Sequence, residues 1–312
     1  MHQNLDENNL VKWFKLTQVK NGLGPAKIKK LLEVYGDLDN LFSVTDSELE
    51  KNSFITSKIL QNFKKLKDAS NENFYKVLED CKKNSISIIP LPDKLYPKSL
   101  KYIPSPPLTL FVKGNIELLN SREKKIAIVG ARNASSEALN IAYNTSFELS
   151  NKKVIIISGG AEGIDTKAHQ GALDSKNQLT ISVLGSGFFH PFPMQNNQLF
   201  DKIVRDNGLL VTENSPNFKG SRISYLQRNR ITSGLADAVF LVAAEKVGGG
   251  IVQARLAQKQ KKPIFCPELD SGITPQEGIL EAIKEYGAIP ISEPKQLIAL
   301  TYADLGISMQ HQ

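Results

Sequence analysis

Cysteine is scarce in this 312-residue chain, which has two, Cys81 and Cys266, far apart in sequence. Neither belongs to a Cys-x-x-Cys pair, so a disulfide framework and a cysteine zinc site are excluded and a reducing compartment is expected. Cys266 sits in the apolar segment Pro-Ile-Phe-Cys-Pro and is predicted to be buried. Histidine is also scarce. The four histidines are His2, His169, His190 and His311, and no two of them have the spacing of metal ligands. We therefore expect no metal site.

Long hydrophobic runs are missing as well. No apolar stretch is long enough to span a bilayer, and the polar residues 1–9 contain no signal-peptide core. Hydrophobic residues make up 41% of the chain and charged residues 23%, which is typical of a soluble protein with a sizeable core. The sequence therefore predicts a cytoplasmic protein that does not contact a membrane.

The best-known nucleotide and hydrolase motifs are also absent. Val129-Gly130-Ala131-Arg132 stands where a dinucleotide-binding fold has Gly-x-Gly-x-x-Gly, and there is neither a P-loop nor a Gly-x-Ser-x-Gly elbow. Ser158, Asp165 and His169 lie close enough in sequence to suggest a catalytic triad, but a helix cap and a packed or surface histidine explain them more simply. These absences favour a binding protein over an enzyme and predict no cofactor.

Positive charge is in excess: the net charge is +7 and the isoelectric point about 9.1. An excess of this size favours an anionic partner, and a lysine-rich surface that serves solubility explains it equally well.

The first part of the chain has the periodicity of helices. From about residue 10 to residue 80 apolar residues recur at helical spacing, and no strand-like alternation occurs before Ile86. We expect a helical domain over residues 1–82, of the SAM or helix–hairpin–helix type. Asn21-Gly22-Leu23-Gly24-Pro25 resembles a helix–hairpin–helix turn, in which glycines let N–H groups approach a DNA phosphate; a plain turn between helices is the alternative.

From Lys125 onward short β-branched runs alternate with helical segments. This alternation predicts right-handed crossovers and a Rossmann-like α/β fold with a doubly wound, mostly parallel sheet, over residues 83–295. The proline-rich segment 90–107 is expected to wrap the outside of that domain. We expect residues 296–312 to form a C-terminal tail without a winged helix. The predicted strands are 125–129, 154–157, 180–184, 209–212, 237–243 and 263–266.

Polar and glycine-rich segments follow these strands. Ligands of doubly wound sheets bind beyond the carboxyl ends of the strands, so we expect these segments to form one polar rim. The segments are 130–132, 158–163, 185–187, 213–215 and 248–250. We expect Arg228-Asn229-Arg230 to open a helix at the same rim, because N–H groups at a helix N-terminus and forked arginines bind phosphate.

Aromatic residues lie at the same predicted edge. Phe188, Phe189 and Phe192 cluster on one loop, and Tyr225 precedes the arginines. Aromatic faces beside arginines suit a splayed single strand, although core packing explains each ring alone. A structural ion pair with an acid such as Asp237 is the alternative role for Arg230. The candidate nucleic-acid contacts are Gly130, Arg132, Ser158, Gly159, Gly160, Gly163, Gly185, Gly187, Phe192, Arg228, Asn229 and Arg230.

Six segments follow one another along the chain: Leu95–Leu100 with Pro106–Gly114, Ile128–Arg132, Ser158–Asp165 with Ala168-His169, Val183–Gly187, Phe192-Pro193 and Arg228–Ile231. In their order and spacing they resemble the DprA (Smf) family of DNA-processing proteins, over about residues 90–292. The resemblance implies a homodimeric, non-enzymatic protein of natural transformation that binds and protects incoming single-stranded DNA and loads RecA recombinase onto it. It also implies that Arg132 and Arg228-Asn229-Arg230 contact DNA.

The chain departs from the family at several positions. Glu162 stands where the family usually has a basic residue, Phe189 where it has an aspartate, and Glu268 where it has a glycine. Gly248–Ala254 replaces a hydroxyl-rich run. A carboxylate beside a phosphate is repelled, so we expect Glu162 to be paired with a basic side chain or to face water.

A second reading comes from a different class of protein. Gly248-Gly249-Gly250 before a helix faintly resembles the phosphate loop of nucleoside-monophosphate phosphoribohydrolases, whose fold is related. The carboxylate-and-arginine arrangement of that chemistry is not visible in the sequence.

Overall fold

The computed structural model describes residues 6–17 and 24–299, and its first part is helical. The helices are α1 (Glu7–Thr17), α2 (Pro25–Tyr35), α3 (Leu38–Ser43), α4 (Asp46–Glu50), α5 (Ser57–Asp68) and α6 (Glu72–Lys83). Asp37, Thr45 and Thr56 cap α3, α4 and α5, each accepting a backbone N–H with its side chain. In the expected helix–hairpin–helix turn, residues 21–23 lie outside the described residues.

One apolar cluster holds these helices together, and a second joins them to the sheet. Trp13 and Leu16 from α1 pack with Ile28, Phe63 and Leu108 in the first cluster, all almost fully buried. At the junction, the Phe14 ring meets the Phe111 ring edge to face, with the ring centres 5.4 Å apart. The helical part therefore rests on the sheet through apolar contacts.

The second part is built on one nine-stranded sheet. The strands are β1 (Ser87–Pro90), β2 (Thr109–Gly114), β3 (Lys125–Val129), β4 (Ile155–Ser158), β5 (Thr180–Val183), β6 (Leu209–Thr212), β7 (Ala238–Leu241), β8 (Ile264–Pro267) and β9 (Ile289–Ile291). Their order is β1-β2-β6-β5-β4-β3-β7-β8-β9; the pairings β1–β2 and β2–β6 are antiparallel, and the other six are parallel. The predicted Rossmann-like fold, preceded by helices, is confirmed.

Helices connect and cover these strands. They are α7 (Lys98–Lys101), α8 (Ser136–Asn151), α9 (Ile164–Asp174), α10 (Asn197–Arg205), α11 (Arg222–Leu235), α12 (Gly249–Lys259), α13 (Glu277–Tyr286) and α14 (Gln296–Ala299). From β3 to β6 the chain moves across the sheet in one direction, and α11 then returns it to β7 on the other side of β3. The carboxyl ends of β3 and β4 therefore lie beside this reversal, where such sheets bind ligands.

The structure corrects the position of the arginine run. Helix α11 begins at Arg222, where Ser221 and Ser224 form reciprocal capping bonds, so Arg228-Asn229-Arg230 lies in the middle of the helix. The expectation that these residues open a helix was wrong, because a serine pair upstream supplies the cap. Asp165, expected as an N-cap, lies inside α9, whose N-cap is Gly163.

No described helix is long and apolar enough to cross a membrane. Both thiols are buried and form no disulfide, as predicted for Cys266. Burial raises the pKa of each thiol to about 12, which makes both unreactive in the folded protein.

Candidate nucleic-acid interface

The Arg228 guanidinium lies against Gly159 at the carboxyl end of β4. A Cβ on Gly159 would fall 1.5 Å from Nη1 of Arg228, so only glycine leaves room for this contact. Nη1 donates to the carbonyl oxygen of Val183, at the end of β5, at 2.9 Å. Arg228 is 8% exposed, and burial lowers the pKa of its guanidinium while Asp165 raises it. Because arginine stays protonated in proteins, α11 places a fixed positive charge below the strand ends.

Asp165 is the acidic counterpart of this buried arginine. Its carboxylate accepts the backbone N–H groups of Gly159 and Ala161, at 3.1 and 3.3 Å. Burial raises the pKa of the carboxyl, and the positive charge of Arg228 opposes that rise. Two amides of the glycine loop therefore point inward and are not free to bind phosphate.

A cavity of about 190 Å³ opens above Arg228, and we call it the arginine pocket. Arg132 is exposed at its edge, and the Phe192 ring, 45% exposed, lies with its centre 5.3 Å from that of Tyr225. The pocket is lined by Arg132, Gly159, Ala161, Glu162, Phe192, Pro193, Gln195, Tyr225 and Arg228. Pockets for drug-sized ligands begin near 300 Å³, so this one has room for a single small group such as a base or a phosphate.

Gly185 leaves space for the Tyr225 ring, which lines the arginine pocket. A Cβ on Gly185 would fall 2.4 Å from the Tyr225 ring, so this glycine makes room for the aromatic wall. The same kind of crowding surrounds four other candidate glycines, where a Cβ would come within 3.0 Å of a neighbouring atom: Gly130, Gly160, Gly163 and Gly187. These glycines shape the backbone around the pocket.

Ser158 and His169 are buried and engaged in the core. The Ser158 hydroxyl donates to the carbonyl oxygen of Ile128 at 2.7 Å, and neither side chain has measurable exposure. Nδ1 of His169 lies 2.8 Å from the Thr180 hydroxyl, and burial lowers the pKa of the imidazole to about 3, with a smaller effect of Arg228 in the same direction. A catalytic triad is not formed, and the assignment of Ser158 as a direct DNA contact was wrong because its hydroxyl is inside the sheet.

The rest of the arginine run points away from the pocket, because consecutive residues of a helix do not share a face. Arg230 pairs with Glu213 through two bonds of 2.6 and 2.5 Å, and its Nε donates to the Ser105 carbonyl at 2.7 Å. Arg230 thus forms a structural ion pair, as in the alternative considered above, with Glu213 as the acid rather than Asp237. The Asn229 amide donates to the Gly249 carbonyl at 3.3 Å and ties α11 to α12.

The residues expected to form one polar rim therefore line two separate concavities. Glu213, Asn214 and Arg230 line a second concavity, separate from the arginine pocket. Phe188 and Phe189 are half-buried and pack against apolar clusters below the surface, so of the three loop aromatics it is Phe192 that lines the arginine pocket. The sequence does not indicate which of the three phenylalanines is exposed, because they lie in a loop and loops have no hydrophobic periodicity.

Glu162 lies on the edge of the arginine pocket, is exposed and forms no salt bridge within the part of the chain that the structure describes. Of the two expectations for this carboxylate, the one in which it faces water is confirmed. Among the described residues, no cluster of three or more histidine, cysteine or acidic side chains could hold a metal ion.

Comparison with known proteins agrees with these features. The family model for DNA recombination-mediator protein A matches residues 87–301. The chain belongs to this family. The DNA processing protein DprA of Bacillus subtilis is 34% identical over 222 residues, which cover 68% of this chain and 74% of that protein. The resemblance to the DprA (Smf) family is thus confirmed.

Two solved structures of family members are similar to the chain. The DNA processing protein A of Streptococcus pneumoniae matches with a TM-score of 0.78 and 26% identity, over 93% of this chain and 98% of that one. The DNA processing protein A of Helicobacter pylori, whose structure is described with its single-stranded DNA binding mode, matches with a TM-score of 0.61 and 28% identity, over 69% and 94%.

Proposed function

We propose that this protein binds single-stranded DNA at the arginine pocket and acts as a recombination mediator rather than as an enzyme. The observation that carries the proposal is the Arg228 guanidinium fixed against Gly159, with Arg132 exposed above it and Phe192 beside it. Together these groups supply two positive charges and an aromatic face within one cavity. Single strands are bound by this combination, since phosphates need cations and unstacked bases need a π-face.

The size of the pocket favours a single strand over a duplex. A cavity of about 190 Å³ admits one base, and a base enters it only when it is free of its stack and its pairing partner. The Helicobacter pylori relative is described with its mode of binding single-stranded DNA, which supports the same ligand for this chain.

The proposal also covers the partners of the protein. We propose that it acts as a homodimer in natural transformation, protects the incoming strand and loads RecA onto it. Support comes from membership in a family described as recombination mediators. A cytoplasmic location is consistent with two buried, unpaired thiols.

The structure does not support the hypothesis of a nucleoside-monophosphate phosphoribohydrolase. The Gly249 carbonyl at the start of α12 accepts the Asn229 amide, which ties this glycine run to α11. The arginine pocket is smaller than a cavity for a whole nucleotide needs to be. Incubation with nucleoside monophosphates should release no free base.

The proposal is tested by fluorescence anisotropy with a single strand and the matching duplex across a range of salt concentrations. We expect tighter binding of the single strand, with a log–log salt slope of about −0.7 for each phosphate neutralised. Arg132→Ala should weaken binding, whereas Arg205→Ala, which removes an exposed arginine at the end of α10, is the matched control and should not. Equal affinity for duplex, or affinity independent of salt, contradicts the proposal.

A further inference from the structure

The arginine pocket contains one feature that phosphate binding does not explain. Of the described residues that line it, Glu162 is the one carboxylate, and it lies in the same small cavity as Arg132 and Arg228. Its side chain is exposed and has no cationic partner among the described residues. A carboxylate accepts hydrogen bonds and donates none, so a ligand group beside it must donate.

A nucleotide whose base enters this pocket therefore has a defined orientation. Its phosphate is repelled by Glu162 and attracted by the two arginines, which places the anionic part on the arginine side. The uncharged base then faces Glu162 and Phe192, whose exposed ring offers a stacking surface. The pocket thus presents a carboxylate to the edge of a base.

The four bases differ in what they offer to a carboxylate. The Watson–Crick edge of guanine has two adjacent donors, N1–H and the exocyclic amine, which match the two oxygens of one carboxylate in the way a guanidinium does. Adenine and cytosine have one amine beside a ring nitrogen that accepts, and thymine has one N–H between two carbonyl groups. Those lone pairs face a carboxylate oxygen unfavourably, so guanine fits best.

The remaining polar groups agree with guanine. Its O6 lies beside N1–H and accepts hydrogen bonds, and Arg132 supplies guanidinium donors in the same cavity. We propose that Glu162 is a specificity-determining residue that selects guanine as the base that enters the arginine pocket. This inference rests on the proposed binding of single-stranded DNA and adds a preference at one position of an otherwise non-selective strand.

The experiment compares oligothymidylates, of the shortest length that binds, that differ at one central position. The central nucleotide is dT, dA, dC, dG or deoxyinosine, and anisotropy gives each affinity. A bidentate pair discriminates enough to make dG bind about tenfold more tightly than the other three natural nucleotides. Deoxyinosine keeps N1–H and lacks the exocyclic amine, so it should bind more weakly than dG.

Two variants complete the design. Glu162→Gln removes the second acceptor oxygen and should abolish most of the preference for dG. Because it also removes a negative charge that repels phosphate, it should not weaken binding of oligothymidylate. Glu268→Gln changes an exposed glutamate that does not line the pocket and should keep the preference.

The outcomes separate the two proposals. Equal affinity for all five strands, or a dG preference that survives in Glu162→Gln, overturns the guanine assignment and leaves single-strand binding in place. Absence of binding to every strand overturns both.

Discussion

Arg228 and Gly159 are in direct contact, with the guanidinium occupying the space in which a side chain on residue 159 would begin. The contact joins α11 to the loop after β4, two elements far apart in sequence. It fixes the buried charge of Arg228 below the arginine pocket. The role of Gly159 is therefore to leave space for the Arg228 guanidinium.

Gly159→Ala is expected to displace Arg228 and to lower both stability and affinity. Overpacking of a close contact costs about 1–3 kcal/mol, and the loss of a charged hydrogen bond to DNA adds about a tenfold loss of affinity. Thermal melting and anisotropy with a single strand measure the two effects. Gly249→Ala is the control, because a Cβ there meets no atom within 4 Å. If the two variants behave alike, the contact with Arg228 is not what residue 159 provides.

The arginines at 132 and 230 should separate affinity from stability. Arg132→Ala removes an exposed cation and should weaken single-strand binding about tenfold or more without changing the melting temperature. Arg230→Ala breaks a half-buried pair with Glu213 and should lower the free energy of unfolding by about 2 kcal/mol with little effect on affinity. A double-mutant cycle with Glu213→Ala measures the interaction energy of the Arg230–Glu213 pair. A strong loss of DNA affinity in Arg230→Ala would contradict the prediction, because it would place the DNA at the concavity around Arg230 and not at the arginine pocket.

His169 should make stability depend on pH. Its pKa is about 3 in the folded protein and 6.5 when unfolded, so the unfolded state binds the proton first as pH falls. The contribution of neutral His169 to the free energy of unfolding is fully present above pH 6.5 and is lost progressively towards pH 3. The loss between pH 7 and pH 5 is about 2 kcal/mol. The raised pKa of Asp165 acts in the opposite direction, so the test compares wild type with His169→Asn. The variant should have the shallower loss; parallel curves would show that His169 does not contribute.

Glu162→Lys should tighten binding of oligothymidylate at low salt. The change removes a negative charge from the pocket edge and adds a positive one, and each added phosphate contact steepens the salt slope by about 0.7. Titrations of both proteins across salt provide the measurement. Weaker binding in the variant would mean that Glu162 holds a DNA-contacting group in place.

Much of the fold was predictable because its signals are local. Buried β-branched runs such as Ile155–Ile157 alternate with helical segments, and this pattern alone predicts a parallel sheet. Strands β2 and β9 and helix α13 were not predicted. Strand β9 is at one edge of the sheet, and β2 is next to the other edge and directly follows the proline-rich segment.

The candidate site was harder to predict because its contacts are long-range. Arg132 and Phe192 were found, since a strand end and an aromatic loop are visible in sequence. The inward turn of the loop amides towards Asp165 and the pairing of Arg230 with Glu213 have no sequence signal, because both depend on tertiary packing. The helix boundary was misplaced because Ser221 and Ser224 form a cap with serine in place of the usual glutamate.

The most direct test of the account is to map where a single strand lies on the protein. A strand carrying one photoreactive base is cross-linked, and the attached peptide is identified by mass spectrometry. We expect cross-links at the aromatic wall of the arginine pocket, to Phe192 or Tyr225, and we expect Arg132→Ala to lose them at limiting protein concentration. Cross-links confined to the concavity around Arg230 and Glu213, or to the helical part, would contradict it.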